Sequence, residues 1–171
     1  MKLIFAGLIL ITFTISCGQS ESNTLDYSFL SYDTSSIAIF DWDSALFKLV
    51  TYAEPLALTN DDLRLAGSIF IDAVHVFNEK QAIRLYEDFG KAVAMENFVI
   101  NISKYKRQYY PYSDVNNQRL LYVVCFSTGF ANWKTEKYHI ARLHGGMTEF
   151  SLIINLSTKI AEQFQSIGGW G

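Results

Sequence analysis

The stretch "LTNDDLRLAGSIFIDAVHVF", residues 58–77, predicts the main helix of this 171-residue chain. Thr59 supplies a side-chain hydroxyl at the helix start and Asp62 a carboxylate three residues later, which is a variant of the capping box. Asp61 and Asp62 also suit the positive end of a helix dipole. Apolar residues then recur at helical spacing, at Leu63, Ala66, Phe70, Val74 and Phe77, while Arg64, Ser68, Asp72 and His75 share the opposite side. We therefore expect a capped helix with one face turned to a core.

Two shorter elements flank this helix. Lys80 to about Lys91 has a second helical pattern that stops near Gly90. Upstream, residues 36–42 are rich in β-branched and aromatic side chains and predict a first strand. The chain thus begins its folded part with a strand and one or two helices.

From Asn97 onwards the apolar residues follow the period of two that is typical of strands. The predicted strands are residues 98–102, continuing through 105–110, then 120–126, 135–143, 150–156 and 161–167, with Gly145-Gly146 as a tight connection. In residues 120–126 both alternate sets are apolar, which suits a central strand covered on both faces.

Helices followed by a run of strands with short turns predict an α+β fold. We expect an N-terminal helix, or two, packed on a four- to five-stranded antiparallel meander. Cystatin-like folds share this order of helix and sheet, so they serve as an architectural analogy. A fold analogy does not determine function.

The amino terminus has the anatomy of a secretory signal. Lys2 precedes an uncharged, largely apolar run of 13 residues, 3–15, and small Ser16 stands before Cys17. A membrane-spanning helix would need roughly 20 apolar residues. We predict a signal peptide at 1–16, a flexible tether at 17–35, where Ser, Asn, Asp and Thr are frequent, and a single α+β domain at 36–171.

Thr14-Ile15-Ser16-Cys17 resembles the processing site of bacterial lipoproteins, although Leu is more usual at the position of Thr14. The resemblance implies cleavage before Cys17, a diacylglycerol on its thiol and an acyl group on its new amino terminus. A membrane partner reached through these lipids is then expected. Gly18, in place of an acidic residue, favours the outer membrane, with the periplasmic or surface face left open. An ordinary cleaved signal and an uncleaved anchor are the alternatives.

The folded part resembles a group of small uncharacterised lipoproteins of Gram-negative envelopes. The resemblance rests on the lipoprotein signal, the capped helix after Leu58-Thr59, Lys104–Tyr109, Val123–Phe126, and Gly145-Gly146 followed by Phe150 and Ile154–Leu156. It spans most of the mature chain and implies no assigned activity. The resemblance therefore supports a location in the cell envelope and a single folded domain.

Charge and composition narrow the classes of partner. After loss of residues 1–16, which removes only Lys2 among the charged residues, 13 basic and 17 acidic residues remain in a chain of 155. Nucleic acids are recognised by clustered cationic charge, so this acidity argues against such a partner. The length suffices for one domain with a real core.

Cys125 is the candidate nucleophile, with His139 or His144 as the base that would activate its thiol. It lies in an apolar strand, however, and cysteine is often buried as a small hydrophobe. If Cys17 carries lipid, Cys125 has no disulfide partner in the chain. We therefore predict no catalytic residue and expect Cys125 to pack in the core.

Other polar residues do not assemble a metal or cofactor site. His75, His139 and His144 lack a completing Cys or paired carboxylate, so we predict no metal and no cofactor. Asp41 and Asp43 share one side of a strand end but lack the further ligands and glycine of a calcium loop. They are interpreted as a polar strand end with the intervening Trp42 turned into the core.

Residues 104–112 interleave three cations with four tyrosines. On a strand the alternation separates Tyr105, Arg107 and Tyr109 from Tyr110 and Tyr112, so both faces carry aromatic rings. Amphipathic side chains lying along a sheet explain most of the pattern. As an exposed aromatic surface, these five residues are the predicted contact for an unknown protein or glycan.

These observations predict a lipid-anchored envelope protein that acts as a non-enzymatic binding module. An envelope cysteine hydrolase using Cys125 with a histidine is the alternative, and a small inhibitor or immunity protein is another. Trp170, in the closing Gly-Gly-Trp-Gly, is expected to close the end of the core.

Overall fold

A computed structural model describes residues 33–43, 53–89, 99–127, 129–137 and 148–166. Several predicted features lie outside these residues: the signal peptide, the lipidation site Cys17, His139, His144, the Gly145-Gly146 connection and Trp170. No helix in the described ranges is both long enough and apolar enough to cross a bilayer.

The described residues form one long helix and one open sheet. In chain order the elements are β1 (Ile37–Ile39), β2 (Glu54–Pro55), α1 (Asn60–Phe89), β3 (Lys106–Ser113), β4 (Arg119–Phe126), β5 (Glu149–Asn155) and β6 (Ile160–Ser166), with 3-10 turns at Thr34–Ser36 and Ile102–Lys104. The strand order is β1-β3-β4-β5-β6, and β2 also pairs with β3. The predicted α+β class is confirmed.

Strands β3 to β6 form the expected antiparallel meander, but β1 departs from it. Ile37 pairs with Arg107 and Ile39 with Tyr109 in parallel register. The long crossover through α1 separates β1 from β3 in the chain, and a crossover of this kind permits parallel pairing. The sheet is therefore mostly, rather than wholly, antiparallel.

Of the one or two helices expected there is one: α1 is a single helix of 30 residues, and the second helical pattern from Lys80 continues it rather than forming a separate helix. No glycine or proline lies between Gly67 and Gly90, so nothing in this segment stops the helix. The predicted cap is confirmed: the Asp62 carboxylate accepts from the Thr59 backbone N–H at 2.8 Å, and the Thr59 hydroxyl accepts from the Asp62 N–H at 3.2 Å. Buried Asn78 joins the helix to the chain before β3 through two hydrogen bonds with the backbone of Ile100, at 2.7 and 3.0 Å.

Several strand boundaries also differ from the predictions. Ile102–Lys104 forms a 3-10 turn, so the predicted strand there begins only at Lys106. The described part of the predicted strand 135–143 is the end of a turn, in which Thr135 and Glu136 both donate to the carbonyl of Asn132 at 2.9 Å. The backbone carbonyl of Asn132 thus satisfies these N–H groups within a turn, in place of a neighbouring strand.

Both faces of the sheet are covered. The first face packs against α1, where Ala66, Phe70 and Val74 of the predicted apolar helix face are buried. The second face carries an aromatic cluster beneath residues 40–42, Ala53 and residues 130–133; its members are Trp42, Tyr110, Tyr112, Leu120, Tyr122, Val124, Phe126 and Ile153. Strand β4 is buried almost throughout, which confirms the prediction that it is covered on both faces.

Candidate binding groove

The five residues predicted to form an exposed partner surface are all buried: Tyr105, Arg107, Tyr109, Tyr110 and Tyr112. The expected exposure was wrong because each face of β3 is covered, the first by α1 and the second by the segments around Trp42 and Trp133. Burial also raises the pKa of Tyr105 and of Tyr112 to about 12. These side chains build the core, and a partner cannot reach them in this state.

Arg107 is a buried cation in the core between sheet and helix. Its guanidinium donates to the carbonyl oxygen of Asp33 at 2.5 Å and lies 5.5 Å from the centre of the Phe70 ring. A hydrogen bond and a cation–π contact together offset part of the cost of burying this charge. Arg107 therefore joins the segment before β1 to the helix.

Gln108, on the second face, holds the covering segment in place. Its amide nitrogen donates to the carbonyl oxygens of Trp133 and Glu136, at 2.5 and 2.7 Å, and its amide oxygen accepts from the Tyr110 hydroxyl at 2.5 Å. The Lys106 ammonium lies 5.3 Å from the centre of the Trp133 ring. Gln108 and Tyr110 are fully buried, so these contacts tie the covering segment to the sheet from within the core.

Cys125 lies on the helix-facing side of β4, directly opposite Arg107 of β3. It is a buried free thiol, and burial raises its pKa, an effect that the nearby Arg107 charge opposes only in part. A thiolate is the reactive form of cysteine, so this environment suppresses reactivity. The expectation that Cys125 packs in the core is confirmed.

Asp41 and Asp43, at the end of the predicted first strand, have different surroundings. Asp41 is exposed, whereas Asp43 accepts from the Lys137 ammonium at 3.2 Å. Trp42 turns inward, as predicted, and its ring packs on Tyr112 in a tilted arrangement with 4.1 Å between ring centres. Within the described ranges, no three His, Cys, Asp or Glu side chains come close enough together to hold a metal ion.

An open groove of about 430 Å³ runs between α1 and β6. Phe77 and Phe164, stacked with 4.4 Å between ring centres, join its two walls. Its lining is mainly apolar: Ile69, Ala73, Val76, Phe77, Ile160, Ala161 and Phe164, with Asp72, Lys80 and Lys159 as the charged members.

Two lining residues, Val76 and Ile160, remain 47% and 53% exposed. They are two of the four large apolar side chains that are exposed among the described residues, and they line the same groove. This site could not be predicted from local sequence patterns because α1 and β6 are far apart in the chain. Val76, an apolar residue directly after His75 on the predicted polar side of the helix, was the one local signal.

No protein-family model, no curated protein and no solved structure matches this chain. The resemblance to envelope lipoproteins and the cystatin-like analogy therefore stay predictions. The groove and the sequence of the amino terminus are therefore the features that bear on function.

Proposed function

We propose that this chain is a lipid-anchored envelope protein that works as a non-enzymatic binding module, with the groove between α1 and β6 as its binding site. The proposed binding role rests on the groove between α1 and β6. The predicted signal peptide at 1–16, followed by Cys17, supports the anchor, and Gly18 supports placement in the outer membrane.

The composition of the groove supports a binding role. Large apolar side chains grouped at a surface, rather than scattered singly, mark places where a protein meets a partner. Val76 and Ile160 are about half exposed while the adjoining Phe77 and Phe164 are partly buried, so a partner would remove further apolar surface from water. Burial of such surface contributes roughly 25 cal/mol per Å².

The alternative functions gain less support from the described residues. The buried Cys125 has neither the exposure nor the lowered pKa that a nucleophile needs. No contact or cavity within residues 33–43, 53–89, 99–127, 129–137 and 148–166 specifically favours an inhibitor or immunity protein. The described residues therefore favour a binding module over these alternatives.

A photoreactive amino acid placed at Ile160 of the full-length chain in intact cells tests the proposal. The matched control is the same substitution at Val115, which is 68% exposed in the β3–β4 turn, outside the groove. We expect adducts in the outer-membrane fraction from position 160 and none from position 115. A chain found free of membranes, or position 160 giving no more adduct than position 115, would contradict the proposal.

A further inference from the structure

Three pairs of acidic and basic residues lie three or four residues apart and meet along α1: Asp61–Arg64 at 2.6 Å, Arg84–Asp88 at 3.6 Å, and His75–Glu79 at 3.7 Å, which is an ion pair only when His75 is protonated. Asp62 pairs with Arg119 of the sheet. Glu87 is exposed and is not part of the groove lining. Asp72 and Lys80, which line the groove, make no ion pair with any of the described residues. They are eight residues apart, too far along the helix to reach each other.

Asp72, Val76 and Lys80 form one stripe on the exposed side of α1, because residues four apart lie above one another on a helix. With a rise of about 1.5 Å per residue, Val76 lies about 6 Å from each charged neighbour along the axis. The stripe is therefore negative at one end, apolar in the middle and positive at the other end.

Such a pattern is complementary to itself when the second helix runs in the opposite direction. If Val76 of one copy meets Val76 of another across a twofold axis, Asp72 of each copy lies opposite Lys80 of the other. A twofold interface uses the same patch on both subunits, which is the condition that this stripe meets. Two ion pairs then flank one apolar contact.

We propose that the partner of the groove is a second copy of this chain, bound with the two α1 helices antiparallel and their Val76 side chains in contact. This inference rests on the proposed function and names the partner of the same site. Ile160, beside Val76 in the groove, extends the apolar part of the contact. Lys159 is exposed, and its long side chain can stay in water at the rim.

Strand β6 favours this mode of contact over addition of an extended peptide. It is the last strand in the order of the described sheet, but its register shifts opposite Ser151–Ile153, and Gln163 has a φ of 50°. A bulge of this kind in an edge strand bends the edge and disfavours pairing with another strand. Contact through side chains of the helix and the groove does not need that edge.

The contact is narrow, so we expect anchoring to strengthen it. A patch of one helical stripe and part of one strand is smaller than a standard stable interface. Lipids on Cys17 would confine both copies to one membrane surface and raise their effective concentration. The test therefore uses the full-length chain in its membrane.

Disulfide trapping of a Val76→Cys variant tests the pairing, with Val115→Cys as the control for random collision. We expect a homodimer from position 76 and at most a trace from position 115. In the Val76→Cys chain, Asp72→Lys or Lys80→Asp alone should lower the dimer yield about tenfold, because each places like charges opposite each other twice. Co-expression of the two single variants should restore the yield, since both ion pairs then re-form between unlike chains.

The outcomes separate this inference from the proposed function. Adducts of another mass from the photoreactive group at Ile160, without a Val76→Cys dimer, would overturn the second copy and leave the binding function standing. Absence of both products would overturn both. A dimer yield that stays the same in the Asp72→Lys and Lys80→Asp variants would overturn the antiparallel arrangement.

Discussion

Arg119, at the start of β4, donates to the Asp62 carboxylate at 2.6 Å. The same carboxylate oxygen accepts from the backbone N–H and the hydroxyl of Thr59, at 2.8 and 2.7 Å. One acidic group therefore caps α1 and fastens the helix to the sheet. The hydrogen bond from Arg119, together with those from Thr59, lowers the pKa of Asp62 to about 2 from its ordinary value of 3.8.

Replacing Asp62 by Asn removes the charge that Arg119 binds and should lower the free energy of unfolding by about 1 to 2 kcal/mol near neutral pH. The loss is expected to be no larger because the half-exposed Arg119 is partly screened by water. A lowered pKa in the folded state stabilises the fold above the unfolded pKa, and this stabilisation is lost as the pH falls from about 4 to 2. Urea unfolding across that range should show a smaller loss of stability for Asp62→Asn than for the unmodified chain. Asp61→Asn, which changes only the exposed pair with Arg64, is the control and should keep the full pH dependence.

Asn78→Ala should cost about 2 to 4 kcal/mol of stability. The substitution leaves the buried N–H and carbonyl of Ile100 without their amide partner, and unsatisfied buried groups of this kind are expensive. Asn116→Ala, in the exposed β3–β4 turn, should change stability by about 0.5 kcal/mol or less. Equal losses for the two variants in chemical denaturation would show that the Asn78 contact does not contribute as described.

Gln108→Leu should loosen the segment that covers the second face of the sheet. It removes the two hydrogen bonds to the carbonyls of Trp133 and Glu136 and puts an apolar side chain of similar size in place of the amide. Amide hydrogen exchange at Thr135 and Glu136 should then speed up about tenfold, the effect of a loss of about 1.4 kcal/mol in local stability. Gln165→Leu, on the exposed end of β6, should leave these rates unchanged.

Cys125 should not react with a thiol reagent in the folded protein. Its side chain is buried and its thiol is held in the protonated form by a raised pKa. The mature lipidated chain should show no reactive thiol when native and one in denaturant. Rapid native labelling would contradict the buried position, and a second thiol in denaturant would contradict lipidation of Cys17.

Elements with local signals could be predicted from the sequence, and those that depend on distant contacts could not. The start of α1 was predictable because Thr59 and Asp62 act on backbone groups within one turn. The two-sided burial of β4 was predictable because both alternate sets of its residues are apolar. The parallel pairing of β1 depends on where the crossover returns, which periodicity does not encode.

The expected exposure of the residues predicted as a partner surface was wrong for a related reason. Alternation places Tyr105 and Tyr110 on opposite faces of β3 but does not say what covers each face. The cover of Tyr110 comes from residues around Trp42 and Trp133. The inward turn of Trp42 was predicted, but the sequence does not indicate which face of the sheet Trp42 and Trp133 cover. The groove likewise combines α1 with a strand about 80 residues later, so only the position of Val76 hinted at it.

Mass spectrometry of the amino-terminal peptide of the mature chain, purified from membranes, tests the proposed anchor at Cys17 most directly. We predict that Cys17 is the first residue and carries a diacylglycerol and an amide-linked acyl chain. Cys17→Ser should abolish this peptide and release the chain from the membrane fraction. A mature protein that retains Met1, or that begins at or beyond an unmodified Cys17, would contradict the account.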